Sequence, residues 1–207
     1  MNHLDFLSPD RASDELGFSP VLRSSMERHQ RDAGASFEER DGWLIPVGFP
    51  READRLKTVG IADLSHLGKI EVRGKGAPEN GNGTIWYQIT PGRALVLCPY
   101  ADCYLLRRSL ARRFPWVLDQ TAGLSILAIV GPEATSVLRR LTHLHDLPAS
   151  GDVAHIGAHV LEQEGGYWIV FPQEFGHYLW EVATDAAESF GGGPVGADAV
   201  VREKAAA

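Results

Sequence analysis

The sequence predicts an α+β fold made of two related halves, and three observations predict it. Composition is that of an ordinary globular chain: 207 residues, 44% hydrophobic and 23% charged, enough for one large domain or two small ones. The order of elements repeats between the two halves. Gly and Pro gather at the joints between apolar runs, where turns are needed.

Taken in order, residues 1–17 read as a flexible tail. Ser19 and Pro20 mark the start of a helix that reaches about Ala33, with Gly34 past its end. Asp41-Gly42 is a two-residue hairpin turn between short extended runs. A short helix through Glu52 to Val59 leads into a strand over Lys69 to Arg73. A first module, 18–120, continues with a Gly-rich stretch (Gly74 to Gly83) and a hairpin of 84–89 and 94–98 turned at Pro91-Gly92. It ends in a helix from Ala101 to Arg113 and a strand at 116–119.

The second module, 121–205, runs strand 124–130, helix 132–142, hairpin strands 153–160 and 166–171, helix 174–189 and strand 195–201. Pro132 and Glu133 suit a first helical turn, and Gly191-Gly192-Gly193 stops the last helix. This is the split βαββαβ, or ferredoxin-like, order, with antiparallel pairing and helices on one face. In the first module the leading helix is replaced by the stretch from Gly74, too rich in Gly to hold a helix.

A net charge of −7 leaves no basic footprint for nucleic acid. Arg107, Arg108, Arg112 and Arg113 lie on a predicted helix and read as a solvated face or a partner contact. The longest apolar stretch, Leu124 to Val130, is strand-sized and far short of the roughly 18 residues of a membrane span. Met1 to Asp14 is polar and mixed in charge, unlike a secretory signal, so a cytoplasmic setting is expected. Cys98 and Cys103 lack metal-site spacing and read as buried free thiols.

Searches for a nucleophile elbow, a phosphate loop or a zinc-binding helix return nothing. His143, His145, His155 and His159 read as exposed polar positions rather than metal ligands. Glu162, Glu164 and Glu174 read as solvated, without a visible pairing for acid–base work. Trp86-Tyr87 and Tyr167-Trp168 fall on one hairpin strand of each module, so adjacent rings point to opposite faces. One ring of each pair belongs to the core. The other either covers the sheet or lines a cavity for a flat aromatic ligand.

Four ordered segments resemble the T-protein of the glycine cleavage system and its aminomethyltransferase relatives. They are Gly34-Ala35-Ser36-Phe37 with Gly42 to Val47, the run Gly60 to Gly74, Gly131-Pro132-Glu133-Ala134 with Leu141-Thr142, and Pro194 to Glu203. The second, containing Asp63-Leu64-Ser65-His66-Leu67-Gly68-Lys69, is the most specific. The resemblance implies a tetrahydrofolate site between the modules, walled by both hairpins, with Ser65, His66, Leu67, Tyr87, Trp168 and Arg202 as its candidate contacts. A pterin needs an apolar slot, a polar edge partner and a cation for its glutamate tail.

The departures are as informative. The family's catalytic aspartate pair aligns with Asn82 and Gly83, and its folate-gripping glutamate aligns with Trp168. No catalytic residue is therefore assigned. The layout resembles a form without the C-terminal barrel, the gamma subunit of heterotetrameric sarcosine oxidase. That implies a non-catalytic or accessory subunit of one-carbon and methylamine metabolism, with larger oxidase or glycine-cleavage subunits, or copies of itself, as partners. The alternative is a minimal aminomethyltransferase in which Asp63 or Glu79 serves as the base.

Overall fold

In the computed structural model, residues 20–75 and 83–200 are described. The expected tail at 1–17, Glu79, Asn82 and Arg202 lie outside the described residues.

Local chemistry explains the first elements. Strands β2 (Ser36–Arg40) and β3 (Trp43–Gly48) are joined at Asp41-Gly42, whose φ angles of 51° and 74° are those of a tight hairpin turn. The helix expected from Pro20 shrinks to α1 (Glu27–Asp32), while Leu22–Arg23 becomes a strand, β1, parallel to β3. The reason is competition. The Leu22 amide donates to the Gly42 carbonyl (2.8 Å) and the Ser24 hydroxyl accepts from the Met26 amide (3.2 Å), which holds Ser24 in a turn instead of a helix interior.

Helix α2 (Glu52–Arg55) is one turn long and leads into β4 (Gly60–Asp63) and β5 (Gly68–Arg73). Strands β6 (Ile85–Thr90), β7 (Arg93–Cys98) and β8 (Trp116–Asp119), with helix α3 (Tyr100–Leu110) between β7 and β8, complete the first half. The second half contains β9 (Leu124–Val130), α4 (Ala134–Leu141), β10 (Ala149–Val153), β11 (Ile156–Gln163) and β12 (Gly166–Pro172). A 3-10 turn (Gln173–Phe175), α5 (Gly176–Glu188) and β13 (Gly193–Pro194) follow.

These strands form a four-stranded antiparallel sheet, β6-β7-β5-β8, and a six-stranded sheet, β10-β11-β12-β9-β4-β13. The six-stranded sheet is antiparallel except where β13 runs parallel to β4. Strand β4 comes from the first half, yet it sits between β9 and β13 of the second. The strand expected at 195–201 is corrected to the pair Gly193–Pro194, with residues 197–200 helical. A Cβ at Gly196 would lie 2.1 Å from the Val47 carbonyl oxygen, so the chain grazes β3 there and turns.

Alternation within the strands builds four layers. One face of the six-stranded sheet packs Ile61, Leu127, Ile129, Ile169 and Phe171 against Val137, Leu179 and Trp180 of the helices. Its other face packs Ile126, Ala128, Leu161, Trp168 and Val170 against Tyr87, Leu95 and Leu97 of the four-stranded sheet. The far face of that sheet packs Ile70, Val72 and Val96 on Cys103 and Leu110 of α3. Being covered on both faces, β9 has no polar stripe; Ile126, Leu127, Ala128 and Ile129 are all fully buried. Each such aliphatic side chain contributes about 1.5–3 kcal/mol by leaving water.

Gly68 starts β5 directly above the two thiols. A Cβ there would lie 2.8 Å from Cys98 Sγ and 2.9 Å from Cys103 Cβ. Gly68→Ala is expected to destabilise by about 1–3 kcal/mol through overpacking. Adding Cys98→Ala should recover part of the loss. Thermal unfolding of the single and double variants checks this, and equal midpoints for Gly68→Ala and the parent would refute it.

Candidate functional site at the joint between the sheets

The segment Asp63 to Lys69 passes from the six-stranded sheet to the four-stranded one, and polar groups without solvent access hold it. Asp63 is 1% exposed. Its Oδ1 accepts the Ser65 amide (2.8 Å) and its Oδ2 accepts Gln30 Nε2 (2.7 Å). Ser65 Oγ accepts the Ile126 amide (3.1 Å), and the Leu64 amide donates to the Ile126 carbonyl (2.9 Å), so the turn is tied to β9.

Lys69 closes the loop from inside. Its Nζ donates to the carbonyls of Ser65 (2.6 Å) and Leu67 (2.8 Å) and stands 5.8 Å from the Trp43 ring centre. Burial pushes the ammonium down to about 8, against the attraction of Asp63 and Asp119. His66 is half-buried in the same turn, and burial pushes its imidazole down to about 4 although Asp63 favours the charged form. Around it, Arg40 forks onto Asp198 at 2.6 and 2.9 Å, the two-pronged geometry that guanidinium and carboxylate share.

A second polar group spans the seam between the halves. Tyr87 Oη, from β6, lies 2.6 Å from Ser150 Oγ of β10. Ser150 Oγ lies 2.7 Å from His159 Nδ1 of β11, opposite it in register. The Tyr87 and His159 rings pack at 5.2 Å. Nearby, buried Glu71 accepts from Arg73 Nε (2.5 Å) and Arg93 Nη2 (2.7 Å), and these partners hold its carboxyl below the usual range. Burial, and then Arg93, lowers the His159 imidazole.

Ser65, His66 and Leu67 thus lie together in the β4–β5 turn. Leu67 packs on the inter-sheet cluster that contains Tyr87 and Trp168. Trp86 and Tyr167, their sequence neighbours, face the opposite layers, Trp86 against Phe114 at 5.9 Å and Tyr167 against Thr135 Oγ1 at 2.8 Å. Sequence reasoning missed Gln30, Lys69, Ser150 and His159 as parts of these sites. Only Lys69 carried a signal, standing inside the most specific motif. His155 sits in the β10–β11 turn at φ 65°. Among the described residues no three His, Cys, Asp or Glu side chains converge as metal ligands. Both cysteines are free and buried.

No protein-family profile matches the sequence. The chain is 28% identical to an aminomethyltransferase of Mycobacterium leprae over 85% of its length and 60% of that protein. An aminomethyltransferase of Mycobacterium avium is 40% identical over 38% of this chain and 23% of its own. The chain therefore spans about 60% of the length of the first curated relatives it matches. The structure resembles the glycine cleavage system aminomethyltransferase T from Bartonella henselae with a TM-score of 0.69 at 17% identity, covering 85% of this chain and 60% of that one. It resembles a chain of the heterotetrameric sarcosine oxidase from Corynebacterium sp. U-96 with a TM-score of 0.57 at 18% identity, covering 67% of this chain and 90% of that one. The resemblance to the glycine cleavage T-protein and its aminomethyltransferase relatives therefore stands, over about 85% of the chain. The fold is the mixed α+β fold of those proteins.

Asp63→Ala strands the Ser65 amide and the buried Gln30 amide, an expected loss of about 2–4 kcal/mol. Asp63→Asn should cost less, because Gln30 can turn its amide over and offer Oε1 to the new NH2. Urea denaturation of both variants measures the difference, and a milder effect from Ala than from Asn would refute the assignment.

The pH dependence has a definite sign. His66 binds its proton more weakly folded than unfolded, so the unfolded chain holds the extra proton between pH 6.5 and about 4 and stability falls on acidification through that window. The limit is about 3 kcal/mol for this group. Lys69 is also lowered, so stability gains as pH rises from about 8 toward 10.5. Denaturation of the parent and of His66→Gln across pH 4–7 checks the first effect; identical slopes would contradict it.

Proposed function

We propose that the chain is a folate-binding-family protein of one-carbon metabolism that acts as an accessory subunit and does not itself catalyse one-carbon transfer. The single observation that carries this reading is the packing between the hairpins. Tyr87 and Trp168 are 4% and 6% exposed and share one apolar cluster with Leu95, Leu97, Ile126 and Val170. Trp168 stands where the family resemblance would put a folate-gripping carboxylate, so an indole faces the space between the sheets instead. At the other aligned position, Gly83 is a turn residue at φ 76° with no side chain to act as a base.

The rival reading, a minimal aminomethyltransferase, would use Asp63. Both of its oxygens are engaged by Ser65 and Gln30 in the interior, which suits a structural carboxylate better than a base that must reach substrate. For tetrahydrofolate the proposed contacts at the joint are the half-buried His66 and Leu67, with buried Ser65 holding their turn and Tyr87 and Trp168 forming the apolar wall behind Leu67. Arg202 is the proposed cation for the glutamate tail. Larger oxidase or glycine-cleavage subunits are the proposed partners, by analogy with the sarcosine oxidase heterotetramer.

The architecture is read here as two ferredoxin-like modules, 18–120 and 121–205. What supports that reading is the β6-β7-β5-β8 order of the first, with α3 on one face, and the β9-α4-β10-β11-β12-α5-β13 succession of the second, in which β10 is a strand additional to the ferredoxin-like order. Among the described residues no helix lies between β5 and β6 of the first.

The purified chain alone is expected to transfer no one-carbon unit from a methylamine donor to tetrahydrofolate. A turnover above the no-protein control, lost in Asp63→Asn with the fold intact, would overturn the accessory reading in favour of its rival.

A further inference from the structure

We propose that Ser150 is an activated hydroxyl, set by His159 and Tyr87, that takes an acyl group from a small carboxylic ester. Three geometric facts carry the assignment. Ser150 is exposed on β10, the edge strand of the six-stranded sheet, so an electrophile can approach it from solvent. Its Oγ is 2.7 Å from the ring nitrogen of His159 and 2.6 Å from the Tyr87 phenol. His159 is confined by half-burial and by the Tyr87 ring at 5.2 Å. A nucleophile in hydrogen-bond reach of a base, with a third group fixing the base, is the arrangement of covalent catalysis.

Of the two donor arrangements these distances allow, the reactive one has the neutral imidazole carrying its proton on Nε2 and accepting the Ser150 hydroxyl at Nδ1, while Oγ accepts the Tyr87 phenol. Half-burial and the field of Arg93 lower the His159 imidazole, which keeps Nδ1 free to accept at neutral pH. As Oγ bonds to the ester carbonyl carbon, its proton moves to Nδ1 and the carbonyl pi electrons move onto the carbonyl oxygen, while the phenol holds Oγ in line with Nδ1. The bond from the carbonyl carbon to the alkoxy oxygen then breaks, and Nδ1–H returns the proton to the leaving alkoxide. Water, giving a proton to Nδ1, releases the acid; Oγ recovers its own proton from Nδ1. No oxidant or metal enters.

The three side chains come from both halves, Tyr87 from β6 and the other two from β10 and β11, so the group exists only when the two sheets are docked. A hydrogen-bonded tie that merely joins the sheets would share these distances, but it would leave Ser150 no more reactive than any surface serine.

The test is labelling of the full-length chain with an alkyl fluorophosphonate, read by intact mass and peptide mapping. One adduct on Ser150 is expected, absent from Ser150→Ala and formed at least tenfold more slowly in His159→Gln and Tyr87→Phe. Its rate in the parent should rise with pH through the titration of His159 and then level off. Mapping the adduct in the parent needs no variant, so the test survives if a variant misfolds. An unlabelled parent, a label on another residue, or a His159→Gln chain that reacts as fast as the parent while retaining its circular dichroism overturns the proposal.

Discussion

Lys69 has no exposed surface, and its ammonium donates to two backbone carbonyls, those of Ser65 and Leu67, rather than to a carboxylate. A charge taken out of water costs several kcal/mol unless donors and acceptors around it are matched. Here two carbonyls, the Trp43 face and the attraction of Asp63 offset that cost. What the arrangement secures is the turn itself, the four residues from Leu64 to Leu67 that release the chain from one sheet and start it in the next. Asp63 fixes the near end through the Ser65 amide, and Ser65 anchors the turn to β9. Remove the polar set and β4 and β5 lose their mutual orientation, and with it the close packing of Tyr87 against Trp168's layer. The inter-sheet core depends on this joint more than on any apolar pair within it.

Much of the fold was legible because its signals are local. Asp41-Gly42 demands two residues at positive φ and has them; the Leu124–Val130 run, apolar at nearly every position, is the doubly covered central strand. The misreadings share a cause. At 20–26 and 195–201 the helix and strand patterns were local, while edge pairing with β3 and the close pass of Gly196 over Val47 were contacts across long stretches of sequence. The insertion of β4 between β9 and β13 was equally invisible, since nothing in Gly60 to Asp63 marks which half it will join. Lys69, Glu71 and Arg73 alternate along one side of β5, and Lys69 and Glu71 are buried, Glu71 beneath a pair of arginines.

For the candidate sites, the sequence showed the turn but not its chemistry. Ser65, His66 and Leu67 were singled out by their motif, and they are contiguous, so any fold keeps them together. Gln30 is buried against Asp63 from an element 33 residues away, and Ser150 meets His159 only through the register of a hairpin. Tyr87 reaches both from the other half. Pairings of that kind are made by sheet register and docking, which composition and spacing do not encode. That is also why His159 read as one more exposed histidine.

The segment that most resembles aminomethyltransferases, Gly60 to Gly74, is also the segment whose polar residues have structural work. Asp63 satisfies a buried amide and a buried glutamine, Ser65 ties the turn to the Ile126 amide of β9, Lys69 spans a turn, and Gly68 leaves room for two thiols. Each of these identities is required by the geometry of the joint, whether or not a ligand ever lies beside it. The positions where a folate protein would need special chemistry are elsewhere, on the facing hairpins, and there this chain has an indole at Trp168 and a turn glycine at Gly83. Resemblance in the joint therefore argues for the fold. The hairpins' inward faces are apolar and closely packed, with the polar group of Tyr87, Ser150 and His159 at the rim. The chain shares the mixed α+β frame of its relatives, and the group of Tyr87, Ser150 and His159 stands at the edge of its seam.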